Sequence, residues 1–590
     1  MFLIFGCDAQ KSQIDRLNFF ENVLSVSGNF EIPSYETRNR GRGQFDYVVV
    51  GGGTAGAVLA SRLSENTNMR VLLLEAGDSP PRVSEVPLLT TYLQLTKYNW
   101  NYVLEKQENF GLGMVDGRIH WPRGKGLGGS SVINSMVYTR GNKHDYDRWA
   151  AMGNPGWSYQ DVLPYFYERV LKHRRRLSDK AGRVFIQAAM EFGYPYVDYN
   201  GENQLGVSTA QLTLRNGRRC STEKAFLRPA RRRNNLVVLK NSFVTRVLID
   251  ETTKTAYGVE YTRNKKSFSV RARKEVILSA GVLGSPKILM LSGIGPRYHL
   301  KEMNIPLIQD LPVGKKIYDH PMYLGLIFSA SEELTSSTKQ VTVDAFLNFT
   351  TAGGGILTSP EGIEALLFTK TNAANYEGNY PDIEFMFVGS NFHTNPNLAF
   401  NYALNLNDDT GVSVWGNLTD YTMTIFILLL HPKSYGYLKL RSVDPLEKLK
   451  IHANYFTDSE NQDMRTMMAA IREAQKITKA SQFQKYEIKQ IKNVVSGCEH
   501  LIYDSDDYWD CAVRHVTNTV HHQTTTCKMG PSHDPEAVVD DKLRVHGIKN
   551  LRVVDTSVIP IPLSGHTNAP TIMLAEKASD IILQDYTNEC

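Results

Sequence analysis

Apolar and polar positions alternate along this chain in a way that marks one opening unit. Residues 45–76 read FDYVVVGGGTAGAVLASRLSENTNMRVLLLEA. The apolar run Tyr47–Val50 stops at glycines, a small-residue helical pattern covers Thr54–Leu63, and a second apolar run, Val71–Leu74, ends at Glu75. Short apolar runs bounded by turn residues predict buried strands, and the segment between them predicts the helix of a βαβ unit. A further strand is expected at Lys274–Ser279, followed by Ala280-Gly281 and a helix starting around Ser285-Pro286. Later, DIEFMFV (382–388), TMTIFILLL (422–430) and GYLKLRS (436–442) read as strands, and Glu460–Ala480 carries apolar residues at helical spacing. No internal repeat or low-complexity linker appears, so any two domains are expected to share an intimate interface.

Composition narrows the class. A chain of 590 residues implies two domains or one large composite one. A net charge of +5 is small at this length and gives no case for nucleic acid or an anionic membrane. The basic runs Lys172–Arg176 and Arg231–Arg233 read as solvated surface. No stretch reaches the ~18 apolar residues of a membrane-spanning helix. The apolar start Met1–Gly6 is too short for a standard signal peptide and lacks a basic flank. Cys498 and Cys511 flank a short acidic stretch and would close a small loop, which favours an oxidising compartment. The sequons Asn348-Phe-Thr350 and Asn417-Leu-Thr419 lean the same way, towards secretion.

The candidate chemistry begins in the opening unit. Its glycines fall as Gly51-x-Gly53-x-x-Gly56 between a strand and a helix. That spacing suits a tight turn, a close backbone approach to a pyrophosphate, and close helix–strand packing. The helix start at Thr54 and Ala55 offers unpaired N–H groups to phosphates. Glu75 stands at the end of the second strand, where an acid can accept from a ribose hydroxyl. Dinucleotide binding follows, without a choice between FAD and NAD.

Two further stretches carry a resemblance. Residues 121–141 read WPRGKGLGGSSVINSMVYTRG and residues 279–296 read SAGVLGSPKILMLSGIGP. They resemble the two signatures of the glucose–methanol–choline (GMC) oxidoreductases, with Val282 where a smaller residue is usual. The similarity runs from about residue 45 to the C-terminus and looks closest to the insect glucose dehydrogenase-like branch. It implies FAD. Gly124, Gly129 and Ser130 would lie near the flavin and diphosphate; Asn134, Met136 and Val137 would approach the isoalloxazine; Val244 would meet the adenine through its backbone. The same resemblance assigns Ala76, Trp100, Ala280, Gly281, Asp555 and Asn568 to the cofactor site. No metal site is implied.

The histidines of TNTVHHQTTTCKMG (517–530) gain a meaning from the same source. Aligned on Cys527-Lys528-Met529-Gly530, the family's flavin-facing histidine falls on His522, with His521 beside it. The second catalytic position falls on His566, in SGHTNAP. Oxidising an alcohol needs a base for the hydroxyl proton with a pKa near working pH, and imidazole suits. His522 is read as the base and His566 as its partner, with the two roles exchangeable. His521 reads as pocket wall or packing, and Cys527 as buried and inert.

Two departures stand out. Gln523-Thr524-Thr525 replaces Pro-Val-Gly, which removes a fixed φ and a permissive one, so the base is expected to be aimed differently. The segment after residue 170 is about twenty residues shorter than in relatives, near the expected substrate entrance.

The resemblance therefore implies an α/β fold: a Rossmann-type FAD domain (44–160, 208–320, 541–590) and an antiparallel-sheet substrate domain (321–540, with 161–207). The implied activity is transfer of a hydride from a CH–OH group of glucose or a related alcohol to flavin N5. Electrons would pass to a quinone-like acceptor or, in an oxidase, to oxygen. An ecdysteroid substrate, a redox-silent lyase and an inactive relative are the alternatives. Oligomeric state is not legible.

Overall fold

A computed structural model describes residues 44–168 and 180–589, apart from 338–339, 375, 377, 392–398, 417 and 419–420, together with 173–174 and scattered positions between 18 and 35. Met1–Gly6, most of Lys172–Arg176 and the Asn417 sequon lie outside the described residues.

Two sheets organise the chain. The first contains β1 (Phe45–Val50), β2 (Val71–Leu74), β4 (Leu236–Leu239), β5 (Phe243–Asp250), β6 (Thr255–Arg263), β7 (Lys266–Leu278) and β13 (Leu551–Val553). Its order is β4-β2-β1-β7-β6-β5, with β13 on β7. The β4-β2-β1-β7-β13 part is parallel. Every residue of β1 and β2 is buried, which is why these strands read as continuous apolar runs rather than alternating ones. The crossover helix α1 (Thr54–Leu63) packs on them. A Cβ on Gly56 would lie 1.9 Å from the Gly51 carbonyl oxygen, so only glycine lets α1 come this close to β1.

The strand expected at Lys274–Ser279 is the buried end of the longer β7. Its first half, rich in Lys, Ser and Arg, pairs antiparallel with β6 in solvent, and only the last residues run beside β1. The following helix, α2 (Gly281–Leu291), starts at Gly281 rather than Ser285. A distant carboxylate explains this: Asp555 accepts the Gly281 N–H (2.9 Å) and the Ser285 hydroxyl (2.5 Å), supplying the cap that no local side chain provides. Pro286 has no N–H to offer the Val282 carbonyl, and the Thr526 hydroxyl donates to that carbonyl instead, at 2.7 Å.

The second sheet is antiparallel and orders as β12-β8-β11-β10-β9-β3. Its strands are β3 (Gly206–Thr209), β8 (Pro321–Ser329), β9 (Ile363–Thr369), β10 (Ile383–Val388), β11 (Thr422–Leu429) and β12 (Thr517–Thr519). β3 spans the expected boundary at 207/208 and belongs to this sheet. The segment GYLKLRS contributes only Tyr437–Lys439, in a separate ribbon with Lys450–His452. Helix α3 (Gln462–Ile477) packs its apolar side on β11, and α4 (Asp506–Val516) leads into β12. The last helix, α5 (Asn568–Glu589), lies along α1. One continuous apolar core joins both sheets.

Candidate active site

A cavity of about 580 Å³ runs from the glycine turn after β1 to the face of the second sheet. Gly51, Gly53, Thr54, Ala55, Glu75 and Ala76 line its start. Trp100, Gly124, Gly129, Ser130 and Val244 line its flanks. Asn568 joins Thr54 near the start, Asn134, Met136, Val137, Ala280, Gly281 and Asp555 line the middle, and His522 and His566 the far end. Gly56 alone of the expected cofactor residues is not on the wall; it packs against Gly51 behind it.

The wall suits an extended anionic ligand. Helices α1 and α5 both begin at the cavity, and the Thr54 hydroxyl meets the Asn568 side-chain oxygen at 3.2 Å. No side chain caps α1, so its first N–H groups face the cavity unspent, and a helix N-terminus attracts phosphate. Gly129 (φ +51) brings its loop against that turn: a Cβ there would lie 2.6 Å from Gly53 Cα. Glu75 braces the turn, accepting the N–H groups of Gly52 and Gly77 at 2.7 Å each. The Gly126 N–H is a third backbone donor to it, and the carboxylate keeps one lone pair for a hydroxyl. At the outer end Trp100 packs on Phe243 with ring centroids 6.0 Å apart, beside Val244. In the middle, the Asn134 side-chain oxygen is taken by Arg219 Nη1 (2.8 Å) and the Met136 N–H (3.2 Å), leaving its NH₂ to donate.

At the far end the imidazoles of His522 and His566 stand 4.6 Å apart, nearly edge to face. They reach the cavity from two loops. His522 follows β12, in a loop rather than a strand, and His521 before it takes φ +66. His566 precedes α5; its N–H donates to Thr139 Oγ1 at 2.6 Å. Burial, then the neighbouring imidazoles and Arg123, hold His522 well below the usual histidine range. The ring is therefore neutral at working pH and has a lone pair to offer.

Several partners of these histidines carry no local signal in the sequence. His320 Nδ1 lies 3.0 Å from His522 Nδ1. Asp319 accepts the backbone N–H groups of His320 and His522 at 2.9 Å each. Glu384, fully buried on β10, takes His566 Nε2 at 2.9 Å. In register across the second sheet Glu384 stands between Leu428 and Phe368, so a carboxyl group sits between two apolar side chains. Within DIEFMFV the spacing shows Glu384 sharing a face with Met386, yet nothing there announces a buried partner for a histidine 182 positions away.

The cysteine readings also have structural answers. Cys498 and Cys511 form a disulfide, with His515 beside both sulfurs; the bond takes both thiols out of metal ligation. Cys527 is a free, buried thiol pushed up by burial and by Asp555.

Residues 45–322 and, separately, 432–575 match the GMC oxidoreductase family. The chain is 38% identical over 566 residues to glucose dehydrogenase [FAD, quinone] of Drosophila melanogaster, covering 91% of this chain and 87% of that one. It is 33% identical to ecdysone oxidase of Bombyx mori, over 92% and 82% of the two chains. A solved structure of formate oxidase from Aspergillus oryzae RIB40, in a study of FAD modification, superposes with a TM-score of 0.80 at 26% identity, covering 94% of this chain and all of that one. The chain belongs to the GMC oxidoreductase family.

Proposed function

We propose that this protein is an FAD-dependent oxidoreductase that oxidises a CH–OH group of a sugar or related alcohol and passes the electrons to a quinone-like acceptor. The observation that carries the reading is the facing pair His522 and His566 at the end of a cavity built for a dinucleotide. The backbone of Gly51, Gly53 and Gly129, with the starts of α1 and α5, would hold the diphosphate, Glu75 the ribose, and Asn134 to Val137 the ring system. FAD, when bound, supplies the hydride acceptor.

The chain's own residues manage the proton. The His522 lone pair takes the hydroxyl proton as the carbon loses its hydride. His566, anchored through Nε2 by Glu384, faces the same oxygen, and a proton on its second ring nitrogen would let it donate to the charge that oxygen gains. In this reading 44–160, 210–320 and 541–590 form the cofactor unit, and 321–540 with 161–209 the substrate unit, the boundary moved past β3. The disulfide and the Asn348 sequon support a secreted protein.

A second substrate reading rests on the wall beside the histidines. Met322, Ile363, Met386, Phe400, Leu404 and Phe426 line it. An apolar wall gives a polyol's hydroxyls no partners and suits an alcohol on an apolar body, and the family relative from Bombyx mori is an ecdysone oxidase.

Anaerobic absorbance of the purified protein tests both. A flavin band that bleaches with glucose supports the first reading, and one that bleaches only with a steroid or other apolar alcohol supports the second. His522→Asn is expected to slow bleaching by roughly 10²–10⁴. Folded protein without flavin, or bleaching at the original rate in His522→Asn, overturns the assignment.

A further inference from the structure

The loop that carries His522 is strained at two points. His521 takes φ +66 and Thr525, a β-branched residue, takes φ +80. Such conformations cost of order 1–3 kcal/mol each and persist only where the surroundings fix them. The fixing contacts are specific. The peptide between His521 and His522 is gripped at both ends: its carbonyl accepts from Arg123 Nη2 (2.5 Å) and its N–H donates to Asp319 Oδ1 (2.9 Å). The side-chain amide of Gln523 repeats the arrangement beside it. Gln523 Oε1 accepts from the same Arg123 Nη2, and Gln523 Nε2 donates to Asp319 Oδ2 at 2.8 Å.

The orientation of that amide follows from chemistry: guanidinium can only donate and carboxylate can only accept. Two amides, one main-chain and one side-chain, thus lie in parallel between a cation and an anion. Gln523 is 1% exposed, so water does not substitute for either contact. Asp319 is the knot of the arrangement. Besides Gln523 it accepts the N–H groups of both His320 and His522 and the hydroxyls of Tyr455 and Thr519. Gln523 Nε2 also reaches Thr519 Oγ1 at 3.0 Å.

We infer that Gln523 is a positioning residue for the oxidation: its amide, spanning Arg123 and Asp319, fixes the peptide path that aims the His522 imidazole into the cavity. The loop needs this bridge because positions 523–525 contain neither proline nor glycine to set its path, and the backbone pairing of Thr524 with Tyr318 (3.0 and 3.4 Å) lies beyond the strained turn at His521. The inference rests on the proposed role of His522 as base.

The test is a double-mutant cycle read as the rate of anaerobic flavin bleaching, using the alcohol that bleaches the wild-type protein fastest. Gln523→Met keeps the volume and removes both polar ends. With FAD retained, it is expected to slow bleaching about 10–100-fold, as a misaimed group does. In a His522→Asn background the same change is expected to cost less than about twofold, because the residue it aims is gone. Equal losses in both backgrounds, or no loss in either, overturn the inference. Gln523→Glu, isosteric and still able to accept from Arg123, runs in the same cycle should Gln523→Met lose its flavin. Loss of flavin from both variants also overturns it, since the bridge would then serve the fold rather than the base. Wild-type bleaching that survives His522→Asn undiminished is the separate result that sinks the base assignment itself.

Discussion

His320 and His522 meet Nδ1 to Nδ1 at 3.0 Å, their rings almost perpendicular. One of these nitrogens must carry the proton. The proposed role of His522 decides between them: a base needs a bare nitrogen facing the cavity, which leaves that ring's proton on Nδ1. In that reading His522 donates from Nδ1 and presents a bare Nε2 to the cavity, while His320 accepts at Nδ1 and carries its own proton on Nε2. A base with its tautomer set by a second ring loses rate when that ring is lost. His320→Leu is expected to lower the flavin-reduction rate on the order of 10²-fold or more, by analogy with other tautomer-fixing groups. His320→Asn keeps an acceptor and is expected to retain most of the rate. Equal rates in the two variants, with flavin bound, would contradict the tautomer assignment.

Glu384 acts on the other ring. Its Oε1 accepts from His566 Nε2, while Oε2 is buried with no hydrogen-bond partner among the described residues. Glu384→Gln keeps an acceptor for His566 and turns the carboxyl into an amide; kcat/KM is expected to fall about 10-fold, less than the roughly 10²–10⁴ of a general acid–base group itself. Glu384→Leu removes the acceptor as well and is expected to fall further, with kcat carrying the loss. Steady-state kinetics of the two variants decides it; an unchanged kcat in Glu384→Leu would remove Glu384 from the reaction.

Acid sensitivity follows from buried imidazoles. Burial draws His320 and His521 down to about 3, and His522 and His431 well below their ordinary value. An unfolded imidazole titrates near 6.5. Below that pH the unfolded chain binds protons the folded one refuses. The stabilisation is thus complete above about 6.5 and is lost as pH falls towards about 3, at up to about 1.4 kcal/mol per pH unit for each histidine. Asp145 and Glu361, raised by burial to about 6 and about 7, tilt the opposite way over the upper part of that window. A difference measurement separates the two. The fall in Tm between pH 6 and pH 4 is expected to be shallower in His320→Asn than in the wild-type protein. Parallel slopes would mean that His320 is protonated in the fold.

The disulfide ties the start of the 498–511 loop to α4, and α4 runs directly into β12 and the His522 loop. Replacing both cysteines by serine opens a short closed loop, expected to cost about 2–4 kcal/mol. A lowered Tm with flavin reduction largely intact is the expected result, read by thermal scanning and stopped-flow bleaching of the same samples.

The opening unit was legible because its physics is local. β1, α1 and β2 lie where the runs Tyr47–Val50, Thr54–Leu63 and Val71–Leu74 put them, with β1 extended back to Phe45. Two strands of the second sheet that are buried throughout, β10 and β11, were equally clear, while β9, buried as fully, was not singled out. What escaped is what depends on distant segments. The start of α2 is set by Asp555, and the exposed half of β7 exists because β6 pairs with it. At the site, the two histidines came from motif alignment. Asp319, His320 and Glu384 did not, since each matters only through a hydrogen bond to a residue more than 180 positions away. The substitution at 523–525 showed that the loop had lost its intrinsic constraints; only the fold shows Arg123 and Asp319 arriving to replace them.

The first sheet is finished by the chain's final segment. β13 joins the edge of β7, and the buried Arg552 holds Glu275 on β7 (2.7 and 2.8 Å) and Asp585 on α5 (2.9 Å). His566 and the start of α5 complete the cavity wall only after that. A chain emerging from the ribosome at about 5–20 residues per second thus exposes the whole second sheet before it can close the pocket that the opening residues began. The cofactor cavity in this architecture is complete only once residues 551–585 have joined it, and a truncation ahead of them strikes the earliest-made domain hardest.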